Sequence, residues 1–211
     1  MKISFCITCY DKDVHLLDRC LDCVSRQTVK PDEVIVISTG FDWNQKMGKT
    51  KKLNYVLYNL PSRKLAGWAR NKGALISTGE VIVFCDVDDK IHPQKCEYMK
   101  RVFQNPEVSA VVTNYYSPKD FDGWQDLNFE YEEILEHDNC LIAPNRADVC
   151  HGHLSCRTDI FLIDKIWYDE DKKRGQDTKF CNRICDHPDH KIFYTPQKLL
   201  VYYPSQTRRR R

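Results

Sequence analysis

Apolar runs separated by polar breaks mark the first forty residues and predict alternating strands and helices. Two runs of β-formers, Ile3 to Cys9 and Val34 to Ile37, indicate strands. Between them, apolar residues fall at three- and four-residue spacing, as in a helix that packs on a sheet: Val14, Leu17, Leu21 and Val24. A strand, a helix and a strand in so short a stretch predict a βαβ unit with parallel strands and a right-handed crossover.

The same pattern predicts further elements along the chain. Strands are predicted at Tyr55 to Tyr58, Val81 to Cys85 and Val108 to Thr113, and helices at Leu65 to Ile76 and Pro93 to Phe103. Another helix is predicted to begin near Asp177. We therefore predict a single α/β domain with a central, mostly parallel sheet of about six or seven strands, flanked by helices.

The most informative of these strands, Val81 to Cys85, runs directly into three carboxylates. The carboxyl end of a buried parallel strand is where α/β sheets bind ligands. Asp86 and Asp88 are two residues apart, so in an extended chain their side chains leave the same face. Two converging carboxylates suit a hard divalent cation, Mg²⁺ or Mn²⁺, that also binds substrate phosphate. The alternative is an acidic, solvated turn, because Asp is common in turns.

Length and charge indicate one ordinary globular domain. A chain of 211 residues is long enough for one core and too short for two comfortable domains. The net charge is +2, and without the four Arg residues at the end it is 28 − 30 = −2. No stretch reaches the roughly 18 apolar residues of a membrane helix, and no signal-peptide pattern opens the chain. We therefore expect a cytoplasmic protein with no nucleic-acid partner and no membrane span.

Eleven cysteines are many for such a chain. Without an export signal, we expect mostly reduced, buried thiols that act as small apolar side chains. Cys20 and Cys23 form a C-x-x-C that has no second pair, and a Cys/His cluster between Cys150 and His190 matches no standard zinc-finger spacing. We expect neither a structural zinc ion nor an essential disulfide.

Four sequence blocks stand together in a recognisable order. They are Ser4-Phe5-Cys6-Ile7-Thr8-Cys9-Tyr10, Gln27-Thr28-x-x-Pro31-x-Glu33-Val34-Ile35-Val36, Ala69-Arg70-Asn71-Lys72-Gly73-Ala74 and Gly79-Glu80-Val81-Ile82-Val83-Phe84-Cys85-Asp86-Val87-Asp88-Asp89. The set resembles the nucleotide-binding half of GT-A fold glycosyltransferases, in particular family 2. Fainter matches at 151–161, 175–180 and 192–194 extend the resemblance over nearly the whole chain. It further suggests the first domain of a longer, viral chain, located in the host cytoplasm.

The resemblance implies roles for residues of the first half. Thr8 and Tyr10 would line the nucleobase pocket, and Arg70 would reach the nucleotide diphosphate or the base. Asp86 would approach the ribose and metal-bound water, while Asp88 would ligate the metal ion. The family usually has an Asp at the end of the second strand, where this chain has Ser38-Thr39. This departure puts uridine recognition by that route in doubt, although Ser38 keeps the position in the pocket.

In the second half, the resemblance points to Asp177 and His153. Asp177 stands where the family has its catalytic base, and some relatives use a late His, here His153, to complete the metal shell. Asp177 has an alternative role as a helix N-terminal acid that is favoured by capping and by the helix dipole. An enzyme that retains the anomeric configuration would need no base there, and the sequence leaves this open.

The expected organisation is a nucleotide-binding half at 1–90, an acceptor-binding half at 91–205 and a basic, disordered tail at 206–211. The expected reaction moves a sugar from a nucleotide-diphosphate sugar, with a UDP-sugar as the donor, to an acceptor hydroxyl of a glycan. The cofactor would be Mn²⁺ or Mg²⁺. Two alternatives are a nucleotidyltransferase, although the first strand is not followed by its Gly-rich phosphate loop, and a non-catalytic nucleotide- or carbohydrate-binding module on the same fold.

Overall fold

The computed structural model describes residues 1–42, 53–127 and 153–203, and the backbone of 135–136. The first part of the chain alternates strands with helices: β1 (Ile3–Tyr10), α1 (Leu17–Ser25), β2 (Glu33–Thr39), β3 (Val56–Leu60), α2 (Ala66–Ile76) and β4 (Val81–Asp86). A 3₁₀ helix at Asp11–Leu16 connects β1 to α1. These elements follow the predicted order, with bounds that shift by a few residues.

The second part mixes short and long elements. They are β5 (Lys90–Ile91), α3 (Lys95–Val102), β6 (Ala110–Tyr116), β7 (Leu135–Glu136), β8 (Ser155–Arg157), α4 (Asp159–Leu162), α5 (Gln176–Cys185) and β9 (Ile192–Val201). The polar tail predicted at 206–211 lies outside the described residues, as do Cys150 and His151.

All the strands join one sheet, in the order β3-β2-β1-β4-β8-β6-β9-β5, with β7 pairing β9. The pairs β1–β2, β1–β4, β2–β3 and β6–β9 are parallel, whereas β8 pairs antiparallel with both β4 and β6. The predicted fold class is therefore confirmed as one α/β domain with a mostly parallel sheet. The sheet has nine strands in the described part of the chain, more than predicted, because the two-residue strands carry no readable sequence pattern.

The two faces of the sheet carry two apolar clusters, as a sheet between helix layers requires. Alternate residues of β4 divide between them: Val81 and Val83 pack on one face with α1 and α3, and Ile82 and Phe84 pack on the other with α2, α4 and α5. The alternation follows from the two-residue period of a strand. Helices on both sides therefore hold β4, and its carboxyl end is fixed in place.

The cysteines mostly behave as the sequence predicts. Eight of them are free, and all but Cys23 are buried among apolar side chains. Burial raises the pKa of Cys6 and Cys9 to about 12, so these thiols stay protonated and inert. The structure differs at Cys185, which is disulfide-bonded. The expectation of mostly reduced, buried thiols does not hold for this residue.

Candidate active site

The candidate site lies at the carboxyl ends of the parallel strands β1, β2 and β4. Asp86 is the last residue of β4 and stands beside Thr8 in the β1–β4 register. The Thr8 hydroxyl donates a hydrogen bond to Asp86 Oδ1 over 2.8 Å. Because this edge is where open α/β sheets bind ligands, Asp86 stands at the position where a ligand is expected.

Arg70, from α2, joins two carboxylates that are far apart in the sequence. Its Nη2 donates to Asp86 Oδ1 at 2.9 Å and Oδ2 at 3.2 Å, and its Nη1 donates to Asp177 Oδ1 at 2.6 Å. The guanidinium is only 2% exposed and lies 5.5 Å from the ring centroid of Tyr168. Burial raises the pKa of Asp86, but Arg70, His153 and the hydrogen bond from Thr8 together outweigh burial, and the net shift is downward. Asp86 and Arg70 are therefore both charged.

Asp177 is the second residue of α5, which follows Gly175 in a left-handed conformation with φ of 71°. Its carboxylate accepts the hydrogen bond from Arg70 described above, and the neighbouring Gln176 accepts one from the Gly67 main-chain N–H over 2.9 Å. Burial raises the pKa of Asp177, although Arg70 opposes that rise. The result is a more basic carboxylate than an ordinary surface Asp, held in a fixed direction.

A turn after β4 brings Asp89 and His153 to the same place. The strand ends at Asp86, and the Asp89 N–H donates to the Asp86 carbonyl over 3.2 Å, which folds Asp89 back. Asp89 Oδ2 lies 2.6 Å from His153 Nε2, and both side chains are almost fully buried. Burial lowers the pKa of His153 to about 3, and burial together with Asp86 raises the pKa of Asp89. Both shifts oppose charge on this buried pair, which one short hydrogen bond joins.

These groups fit a divalent cation. One ligand atom from each of Asp86, Asp89 and His153 lies within 4.8 Å of the other two. Two carboxylate oxygens and one imidazole form a donor set suited to Mn²⁺. A bound ion would take the place of the proton in the hydrogen bond between Asp89 and His153. His153 Nδ1 is buried and has no hydrogen-bond partner within the described ranges. Repulsion between the acids also favours a cation here.

The structure groups Asp89, rather than the predicted Asp88, with Asp86 and His153. The prediction extended the two-residue alternation of a strand to Asp88, but β4 ends at Asp86 and a turn follows. Asp88 is half-buried, and burial, followed by Asp89 and Asp86, raises its pKa to about 7. Its carbonyl accepts a hydrogen bond from Arg19 Nη2 over 2.7 Å. The role of Asp88 as a metal ligand stays a prediction.

The predicted nucleobase residues are brought to one edge but are not equally available. Tyr10 ends β1, and its hydroxyl is buried with no hydrogen-bond partner among the residues that the structure describes. Ser38 is fully buried, and its hydroxyl donates to Asn59 Oδ1 over 2.7 Å. Tyr10 therefore retains a polar group for a ligand, whereas Ser38 is engaged with β3.

Sequence reasoning missed the grouping of Asp89 with His153, and it missed Tyr168 beneath Arg70. The sequence did contain a signal for Asp89, because three acids close to one another are more typical of a turn than of a strand. Tyr168 gave no signal: it lies in an irregular segment and stacks on Phe180 with ring centroids 3.8 Å apart. Contacts of this kind depend on the tertiary fold and leave no local pattern.

Comparison with known proteins connects this edge of the sheet to a family. The protein-family model described as "Glycosyl transferase family 2" matches residues 4–162 of this chain. The chain is 29% identical over 118 residues to the putative glycosyltransferase EpsH of Bacillus subtilis, which covers 54% of this chain and 33% of the relative. It is 30% identical over 111 residues to YwdF, an uncharacterized glycosyltransferase of the same bacterium, covering 51% of this chain and 40% of the relative.

Solved structures share the fold. The structure of S. aureus TarS (residues 1–349) in complex with UDP-GlcNAc aligns with 98% of this chain, and the alignment covers 59% of the TarS chain. The TM-score is 0.70 and the sequence identity is 16%. A second structure is the mannosyltransferase PcManGT from Pyrobaculum calidifontis in complex with GDP-Man and Mn²⁺. It aligns with 97% of this chain, and the alignment covers 58% of the PcManGT chain, with a TM-score of 0.63 and 18% sequence identity. At such identities the likeness shows the fold alone.

The matched stretch spans only about a third of the length of EpsH, at 33%. Within the described ranges, every helix is too short or too polar to cross a bilayer. None of the relatives named here is viral, so the expectation of a viral source gains no support from them.

Proposed function

Because the chain belongs to glycosyl transferase family 2, we propose that it transfers a sugar from a nucleotide-diphosphate sugar to an acceptor hydroxyl of a glycan. We propose a UDP-sugar as the donor and Mn²⁺ as the metal ion. The observation that carries the proposal is the linked set of Asp86, Arg70 and Asp177 at the carboxyl edge of the sheet. It supports a cation site on one side of the guanidinium and a candidate base on the other.

In this proposal, residues 1–90 bind the donor and residues 91–205 bind the acceptor. Tyr10 and Thr8 line the nucleotide pocket, and the buried Tyr10 hydroxyl has no hydrogen-bond partner among the described residues. Asp86, Asp89 and His153 hold the cation, and Asp88 is a further ligand from the same turn. When bound, the ion would offset the negative charge that develops on the leaving diphosphate.

Asp177 is the proposed general base of an inverting reaction. A base must lie within hydrogen-bond reach of the acceptor hydroxyl and must have a pKa high enough to accept its proton. Burial raises the pKa of Asp177, which favours this role, while Arg70 fixes the carboxylate and limits the rise. Arg70 thus acts as a positioning residue that sets the direction of the base and keeps Asp86 ionised.

The experiment is a donor screen with UDP-GlcNAc, UDP-glucose and GDP-mannose, each with and without Mn²⁺. Thermal stabilisation reports binding, and released nucleoside diphosphate reports reaction. We expect one donor to stabilise the protein and to be turned over only when Mn²⁺ is present. Asp177→Asn should keep donor binding and lower the rate by about 10²- to 10⁴-fold, whereas Glu107→Gln, an exposed surface acid, should change neither.

The remaining outcomes each point elsewhere. Binding without release of a nucleoside diphosphate would indicate a non-catalytic module, and release of pyrophosphate would indicate a nucleotidyltransferase. Normal transfer by Asp177→Asn, or product with retained anomeric configuration, would remove the base role from Asp177. Equal turnover without any divalent cation would overturn the metal proposal.

A further inference from the structure

A second cluster of potential metal ligands lies apart from the site described above. One ligand atom from each of Asp164, His187 and His190 lies within 4.8 Å of the other two. Asp164 follows α4, and the two histidines lie in the turn between α5 and β9. No residue of this cluster belongs to the donor site, and the family resemblance gave it no role.

The geometry inside the cluster resembles a coordination shell. His190 Nε2 and Asp164 Oδ2 are 3.0 Å apart, and the two imidazole rings stack with centroids 4.5 Å apart. Ligand atoms at usual zinc distances of about 2.0–2.2 Å from one ion lie about 3.0–3.5 Å from each other. His190 and Asp164 are therefore already at the spacing of two ligands of one ion, and His187, whose ring stacks on that of His190 at an interplanar angle of 30°, would turn to join them.

A supporting hydrogen bond orients His190. Its Nδ1 lies 3.1 Å from the Ser109 hydroxyl, which also accepts the Lys191 main-chain N–H over 3.2 Å. Metal-binding histidines commonly donate their second ring N–H to such an oxygen, which fixes the tautomer and directs the other nitrogen to the ion. Ser109 is 5% exposed, so this support is rigid.

The backbone beside the carboxylate is also unusual. Lys165 adopts the left-handed conformation with φ of 58°, and no other described non-glycine residue has a positive φ. A side chain makes that conformation unfavourable, and such strain is concentrated at functional sites. Lys165 directly follows Asp164 in the chain, so this conformation lies next to the carboxylate of the cluster.

We propose that Asp164, His187 and His190 form a binding site for a divalent transition-metal ion, with Zn²⁺ as the best match. Two imidazoles and one carboxylate are ligands that zinc favours over the all-oxygen shells of Mg²⁺ or Ca²⁺. The side chains of His190 and Asp164 are 12% and 21% exposed, so water can reach the ion and complete its shell. The ion would join the segment after α4 to the end of α5 and the start of β9.

The test compares Zn²⁺ binding to the full chain and to three variants by equilibrium dialysis with metal analysis. His187→Gln removes one ligand, and Asp164→Asn keeps the size and hydrogen bonding of the carboxylate while removing its charge. Ser109→Ala removes only the supporting hydroxyl. We expect the wild type to bind one more equivalent of Zn²⁺ than the two ligand variants, and Ser109→Ala to bind it about 10- to 100-fold more weakly. Asp18→Asn, at an exposed acid of α1 outside both clusters, should retain this equivalent.

Thermal unfolding gives a second readout that is independent of enzymatic activity. Zn²⁺ should raise the melting temperature of the wild type and of Asp18→Asn, and should raise that of His187→Gln and Asp164→Asn less. Equal stoichiometry in the wild type and both ligand variants would overturn the proposal and leave an ordinary His190–Asp164 hydrogen bond. If one variant fails to fold, the other decides the outcome.

Discussion

Replacing Arg70 by Met tests the central arrangement of the site. The guanidinium makes three hydrogen bonds to Asp86 and Asp177, and Met would keep much of its volume while leaving both carboxylates without a countercharge. Breaking a buried ion pair by removing one partner costs about 3–5 kcal/mol. The side chains of Asp86 and Asp177 remain 31% and 29% exposed, so the lower end of that range applies. We expect a loss of about 3 kcal/mol, a large share of a domain stability of about 5–15 kcal/mol.

The loss should depend on pH in a defined direction. Without Arg70, the folded-state pKa of Asp177, which burial already raises, should rise further, and that of Asp86, which is lowered in the wild type, should also rise. A group whose pKa is higher in the folded state disfavours folding as the pH rises through that pKa. The stability difference between Arg70→Met and wild type should therefore be larger at pH 8 than at pH 5.

The assay is urea unfolding of four proteins: wild type, Arg70→Met, Asp177→Asn and the double variant. Asp177→Asn removes one of the two unpaired charges, so in the Arg70→Met background it should recover part of the loss. Coupling of about 1–3 kcal/mol is expected from such a cycle between contacting residues. Arg70→Met with wild-type stability at pH 8, or a cycle without coupling, would refute our account of Arg70.

Two further predictions concern the frame of the site. Burial raises the pKa of Glu33, but hydrogen bonds from Ser4 and Thr78 outweigh burial and lower the pKa overall. Glu33→Gln should therefore lower the free energy of unfolding by about 1 kcal/mol at pH 7. In denaturant unfolding, this stability difference from the wild type should shrink as the pH falls below about 4. A Cβ at Gly67 would lie 2.2 Å from the Asp169 carbonyl oxygen. Gly67→Ala should therefore lower the free energy of unfolding by about 1–3 kcal/mol. A melting temperature equal to that of the wild type would contradict this contact.

The sequence predicts the elements that have a strong local pattern. The parallel arrangement of β1 and β2 and the buried β4 follow from apolar runs, and the family blocks place Asp86 at the sheet edge. The antiparallel insertion of β8 between β4 and β6 could not be predicted, because a three-residue strand has no periodicity. Pairing of that kind is decided by tertiary packing, which overrides local propensity.

The candidate site divides in the same way. Residues within one block, such as Asp86, could be assigned to the site from the sequence. The contact between Asp89 and His153 joins residues 64 positions apart, and Arg70 and Asp177 are 107 positions apart. No local signal relates such residues, so only the three-dimensional arrangement shows that Arg70 is enclosed by carboxylates and is not a free cation.

One face of α2 links the two halves of the chain through successive turns. Gly67 contacts Gln176, Arg70 contacts Asp177, and the Asn71 side chain bonds both the N–H and the carbonyl of residue 168. During synthesis, a nascent chain that has not reached α5 would hold Arg70 and Asn71 without these partners. Because non-local contacts of this kind must wait for the later segment, residues 1–90 should reach their final packing only after the ribosome has made α5. We therefore expect the two parts of the chain to fold as one unit.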